Sequence, residues 1–320
     1  MSTSTTSSPG PAPASPAPAP AAPPTPSLGP DDALPHLEPP ARARLLGGAL
    51  VGLGALLLGL VLQALVVSPL HEARDQHVAY DDFRSALADG TAPVGQVGTD
   101  DHLLPDGTPV AILRIPALGV DDVVLEGTAS HVTLSGPGHR RDTVLPGQVG
   151  ASVVMGRQSL FGGPFRGLAD LPVGSTVEAV TGQGTATYRV TDVRHEGSPL
   201  PPVLTDGAGR LTLVSASGPR FLPDDVVRVD ATLTSDPFTT PVEVTSARSL
   251  SPSELAFAGD PSAWPWLVIA LAALVLCVVG LAFLRTWWGR WQTWLVGAPV
   301  LLLLGLLAGQ EAFVLLPNLL

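Results

Sequence analysis

At 320 residues and a formal net charge of -11, the chain has room for one or two domains. It carries no basic stripe that could neutralise phosphates, which excludes nucleic acid as a partner. All 17 basic residues are arginine, and the single cysteine, Cys277, rules out an intramolecular disulfide. Cys277 stands in an apolar run, where a thiol packs as a small hydrophobe, so thiol chemistry is not expected of it.

In chain order, residues 1–43 are dominated by Pro, Ala, Ser and Thr. Too little apolar surface is available there to offset the entropy of ordering, which predicts a disordered tail. Residues 44–70, "RLLGGALVGLGALLLGLVLQALVVSPL", supply the roughly 20 apolar residues that a bilayer-spanning helix requires. A cleavable signal peptide is the rival reading, but this run lies far from the start and lacks the small-residue cleavage pattern. Residues 71–104 form a stalk in which "HVAYDDFRSALADG" reads as a helix.

From 105 to 235 the pattern changes to short β-branched runs bounded by Gly, Pro and Asp. "PVAILRIP", "DDVVLEG", "GASVVMG", "STVEAVTG", "ATYRVTDVRH", "RLTLVSA" and "DVVRVDATLT" read as strands of a compact sandwich or barrel. "FRGLADL" reads as a helical turn. Residues 236–263 form a Pro/Ser-rich linker, and two further apolar spans follow at 264–284 and 293–312, joined by a loop at 285–292. Residues 313–320 are left as a short tail.

Arg42 and Arg44 precede the first span, and Arg285 and Arg290 lie in the loop between the other two. The positive-inside rule then puts the N-terminal tail and the loop in the cytoplasm, with the β domain and the 313–320 tail outside. All six tryptophans (Trp264, Trp266, Trp287, Trp288, Trp291 and Trp294) flank the C-terminal spans, where amphipathic rings suit the headgroup region. Glu311 falls at a span's outer end, a solvated position for a carboxylate.

The order of motifs within the β domain resembles the sortases, and among them the class E-like group of Gram-positive bacteria. The resemblance is carried by "AILRIPALGVDDVVLEG", by "GPGHRRDTVLPGQVGASVVMGRQSLFGGPFRGLADLPVGSTVEA" and by "RLTLVSASGPRF". It implies an eight-stranded β-barrel outside the membrane beside three transmembrane helices, a mainly β architecture. It also implies a role in cell-wall protein sorting. In that chemistry a cysteine attacks the Thr–Gly bond of an LPXTG-type signal, a histidine acts as general acid and base, and an arginine stabilises the oxyanion.

Carried over position by position, the resemblance implies a degenerate site. The family histidine falls on Arg157, whose guanidinium does not shuttle protons. The nucleophile falls on Ala216 when counted from "LTL" and on Ser217 when counted back from "PRF". The arginine falls on Val226, with Arg228 two residues on at the same strand parity as a possible substitute. His139 matches a family histidine other than the acid/base, and a rearranged Ser217–His139–Asp142 site is the catalytic alternative. No "GxSxG" elbow surrounds Ser217. No histidine pair has ligand spacing, so no metal or other cofactor is expected. The acidic runs "DDVVLEG" and "TDDHLLPDG" lack a calcium-loop pattern and read as solvated loops.

The expected partners are therefore the lipid bilayer and LPXTG-type peptides, surface proteins or an active sortase. A structural membrane module with no peptide-binding role is the third reading.

Overall fold

The computed structural model describes residues 54–98, 102–242 and 250–320, together with Gly10, Leu50 and Arg248. Apart from Gly10, the Pro/Ala-rich 1–43 segment lies outside the described residues, as do most of the first residues of the first span.

A helix, α1 (Gly54–Asp89), runs unbroken from the first apolar span through the stalk. Its Gln63–Val67 turn is π-helical. Gly90, at φ 68, ends it in the left-handed conformation that only glycine adopts without strain. The first half of α1 is apolar all round. The second half turns Ala79 and Phe83 onto Ile112, Val123 and Leu125, so the same helix is both a span and part of the barrel's coat.

Eight strands follow: β1 (Pro109–Ile115), β2 (Val120–Glu126), β3 (Gly138–His139), β4 (Gly150–Met155), β5 (Thr176–Thr181), β6 (Gly184–Arg194), β7 (Gly209–Ser217) and β8 (Asp225–Leu233). They close into a barrel in the order β1-β2-β3-β4-β7-β8-β6-β5. The mainly β barrel expected from the sequence is present. The β2–β3 and β4–β7 pairs are parallel and the others antiparallel. Closure removes free sheet edges. A one-turn helix, α2 (Ser130–Thr133), follows β2.

Alternation along the strands fills the barrel. Leu113 and Ile115, Val177 and Ala179, Leu211 and Leu213, and Val227 and Val229 all join one core with Phe165, Leu168 and Tyr188. The positions between them face outward, and on β4, β7 and β8 that outer face becomes a cleft.

Residues 250–263, expected as a plain linker, pack against the barrel as an ordered strap. Ser251 and Glu254 make a capping box, and Thr128 donates to the Glu254 carbonyl at 2.7 Å. Two helices then form a hairpin, α3 (Trp264–Trp288) and α4 (Arg290–Val314), turning at Gly289. With α1, the described residues hold three helices long and apolar enough to cross a membrane. Much of the hairpin's apolar surface has no protein cover, including Val268, Ile269, Leu276 and Leu302. Within the helices, Gln63 donates to the Leu306 carbonyl at 3.0 Å, so this polar group is paired inside the apolar layer.

Candidate functional site: a cleft filled by the chain's own C-terminal segment

The cleft floor is the outward face of β4 and β7. Met155, Val214 and Ala216 form one apolar cluster there, with Val153, Val226, Ala256 and Phe257 packed around it. The register sets this grouping: Met155 lies opposite Val214, Val214 opposite Arg228, and Ala216 opposite Val226. Side chains at paired positions share a face.

The chain turns sharply after β4 at Gly156. A Cβ there would lie 2.6 to 2.9 Å from three ring atoms of Phe165, so only glycine lets the backbone pass. The next residue, Arg157, points into the cleft wall and is completely buried. Its Nε donates to the Thr133 carbonyl at 3.1 Å, and its Nη2 donates to the Ser130 carbonyl and hydroxyl at 3.2 and 2.8 Å. Its Nη1 donates to the Pro317 carbonyl at 3.3 Å, and its guanidinium stacks 5.5 Å from the Phe161 ring centre. Among the described residues no carboxylate pairs with it, and burial pushes its pKa down to about 9, which leaves it a cation at neutral pH.

The Pro317 contact is one of many. After α4 ends at Val314, residues 315–320 leave the helix and lie along the cleft. Leu319 is fully buried in the Met155–Val214–Ala216 cluster. Asn318 donates its side-chain amide to the carbonyls of Thr128 at 2.7 Å and Leu255 at 2.9 Å. The Asn318 backbone N–H reaches the Ala258 carbonyl at 2.9 Å. The Leu316 carbonyl accepts from the Ser130 hydroxyl at 3.0 Å. The amides of Gln158, Ser159 and Leu160 donate to the carbonyls of Leu319 and Leu320 at 2.9 to 3.0 Å.

Residues 113–219 match the family model described as the sortase domain. The chain carries a sortase-family domain.

Several solved sortases are similar to it. Sortase E from Streptomyces avermitilis is 29% identical, with a TM-score of 0.36, covering 41% of this chain and 91% of that one. The Clostridium perfringens sortase D5 transpeptidase is 19% identical, with a TM-score of 0.41, covering 51% of this chain and 99% of its own. Clostridium perfringens sortase C, solved with its C-terminal cell wall sorting motif, is 19% identical, with a TM-score of 0.39, covering 51% and 90%. No curated protein matches the chain.

Within the sortase domain, Arg157, Ala216 and Val226 come together around Pro317–Leu319. Ser217 does not join them. It has the strand parity of Leu211, Leu213 and Ser215, so it faces the barrel interior at the rim, away from Leu319. Arg228 shares the cleft face with Val214, one strand step below Val226.

His139 is also remote. It pairs with Val154, which pairs with Leu213, so it lies two strands and four residues from Ser217. That is on the order of 15 Å by ordinary strand spacing and rise. It is fully buried, with Nδ1 2.8 Å from Glu126 Oε2 and Nε2 3.0 Å from the Val144 carbonyl oxygen. Burial acts to lower its pKa, but the Glu126 charge and hydrogen bond outweigh this and hold it raised. Asp142 pairs with Arg140.

The acidic runs are engaged in the same way: Asp121 with Arg114, Glu126 with His139, and Asp106 with Arg141 and His131. Among the described residues, no three metal-ligating side chains converge.

One pair escaped the sequence reading. Asp225 sits opposite Ser217 on β8 and is 2.7 Å from His195 Nδ1. Burial works against its ionisation, but the amides of Glu196 and Val226 and the His195 ring keep its carboxyl below the usual range. Among the described residues, no base is hydrogen-bonded to the Ser217 hydroxyl. The pairing crosses thirty residues of sequence between His195 and Asp225, and no local motif announces it.

Proposed function

We propose that this chain is a membrane-anchored, class E-like sortase relative that has lost transpeptidase chemistry. It works by binding peptide, as a scaffold component of surface-protein sorting or assembly. The observation behind this reading is that the cleft-facing positions Arg157, Ala216 and Val226 surround a peptide segment without offering it a nucleophile or a base. A methyl group cannot attack a carbonyl, and a guanidinium that stays charged cannot take a proton. The segment contains Leu316-Pro317, the pair that opens an LPXTG-type signal. Such peptides, the surface proteins bearing them, or an active sortase are the proposed partners. An LPXTG-type peptide added to the purified chain should come back intact; a cleaved or amine-exchanged product would reverse the proposal.

A second reading keeps Ser217 as a nucleophile, with His195 and Asp225, rather than His139 and Asp142, supplying base and orienter. It predicts turnover that Ser217→Ala and His195→Ala each abolish.

The proposed orientation puts the barrel outside the cell and the α3–α4 turn inside. The middle of α1 and the end of α4 both abut the barrel domain: Ser68 accepts from the Phe161 amide, and Phe313 packs on the Phe161 ring at 5.7 Å. The hairpin turn at Gly289 then falls at the far end, with Arg285 and Arg290 beside it. Cysteines placed one at a time in a Cys277→Ser background test this. A position in the barrel's exposed 195–207 loop should label with an impermeant maleimide on intact cells, and Gln292→Cys should not.

A further inference from the structure

We infer that the cleft is a receptor for a turned aliphatic–proline–asparagine–aliphatic segment, and that the chain's own residues 315–320 are its resident ligand. A partner segment of the same chemistry enters only by displacing them. The inference rests on the peptide-binding reading above and names the ligand class.

The chemistry of the contact is that of a binding site rather than of incidental packing. Backbone carbonyls along the segment are taken in turn by Ser130, Arg157, Gln158 and the paired amides of Ser159 and Leu160. Pro317 has no N–H to leave unpaired, and its carbonyl accepts from the Leu320 amide at 3.1 Å as well as from Arg157, which closes a turn over Asn318 and Leu319. Specificity lies in two side chains. Leu319 is wholly buried on Ala216, Val214 and Met155, while Asn318, also wholly buried, spans two carbonyls from different parts of the fold, Thr128 and Leu255.

Arg157 joins these elements. Its Nη2 donates to the Ser130 hydroxyl, which donates onward to Leu316, and its Nη1 donates to Pro317. A buried cation with only carbonyl and hydroxyl partners is suited to holding a peptide backbone, and it loses one of those partners when the segment leaves. Departure also strips the cover from Met155, Val214 and Ala216, an apolar floor that a competing aliphatic segment would fill. Because the resident segment continues directly from α4, it is held near the cleft at high effective concentration. An incoming peptide therefore binds only to the fraction of molecules whose cleft is open.

The test uses the chain in detergent and a fluorescein-labelled Leu-Leu-Pro-Asn-Leu-Leu peptide, read by anisotropy. A chain ending at Val314 should bind the peptide saturably and at least about tenfold tighter than the full chain. The same peptide with Ala for Asn should bind the shortened chain more weakly. As a second measurement, Ala216→Cys with Leu319→Cys in a Cys277→Ser background should show no binding when oxidised and, because Leu319→Cys removes the resident segment's buried anchor, binding at least as tight as the full chain's when reduced. The inference is overturned if the shortened chain, with its barrel amides still protected from exchange, binds no peptide. It is equally overturned if oxidised and reduced forms of the cysteine pair bind alike. Cleavage of the bound probe would sink the non-catalytic reading instead and leave the resident ligand standing.

Discussion

Arg157 shows how a single buried side chain sets what a cleft can hold. Gly156 leaves no room for a side chain before it, so the next residue must turn into the wall formed by Ser130 and Thr133. A histidine there would present a titratable ring. The guanidinium instead supplies fixed donors and keeps its charge at neutral pH, which suits holding carbonyls and not moving protons. Arg157→Leu should lower the melting temperature by several degrees. It strands the buried acceptors of Thr133, Ser130 and Pro317, at about 1–3 kcal/mol for each group left unpaired. Circular dichroism on the detergent-solubilised variant checks this, and an unchanged melting curve would mean that Arg157 holds nothing. The parity of β7 makes a similar point at Ala216 and Ser217. Neighbouring residues in a strand face opposite ways, so an assignment uncertain by one position in sequence becomes a choice between the cleft and the barrel rim.

At the scale of elements, the strap at 250–263 links the barrel to the hairpin through His131. Its ring lies 2.9 Å from Asp260 and 3.4 Å from Asp106, and Asp260 also donates its backbone amide to the Val314 carbonyl. The hydrogen bond that His131 donates to Asp106 leads in raising the His131 pKa; burial opposes it, and Asp260 adds to the rise. Asp106 is lowered chiefly by that same bond, and Asp260 is lowered because Ser262 and His131 outweigh its burial. A raised histidine stabilises the fold fully below its ordinary value of 6.5, and that contribution is lost as pH rises through the raised folded value. The two lowered carboxylates contribute above their ordinary 3.8 and lose that contribution as pH falls. The strap is therefore held most firmly between these limits. Hydrogen exchange corrected for intrinsic rates should show protection of 255–263 falling above pH 6.5, with His131→Gln removing the dependence. The same profile in wild type and variant would show that the latch is absent.

These elements also mark how far the sequence could be read. Alternation announced the strands, and the apolar runs announced the spans, because both signals are local. The two-residue β3 is too short to carry a period, and the parallel β4–β7 pairing has no hairpin turn to reveal it. The strap read as a linker because Pro and Ser mark loops whether or not the loop is pinned. Residues 315–320 read as a tail because Thr128, Ser130 and Arg157, which hold them, lie more than 150 residues away.

Seen whole, the molecule is a barrel whose cleft is closed by a segment continuing directly from one of its membrane helices. Anchor and cleft are joined covalently: the segment that fills the cleft continues from α4, which Gln63 of α1 ties through the Leu306 carbonyl. The central claim is that this sortase-family domain binds peptide without acyl transfer. The decisive measurement uses the chain ending at Val314, so that the resident segment cannot mask activity. It is incubated with an LPXTG-type peptide and an amine acceptor and read by intact-mass spectrometry. The account predicts bound, uncut peptide and no mass added to the protein. A covalent acyl adduct on Ser217, or a transpeptidation product lost in Ser217→Ala, would contradict it.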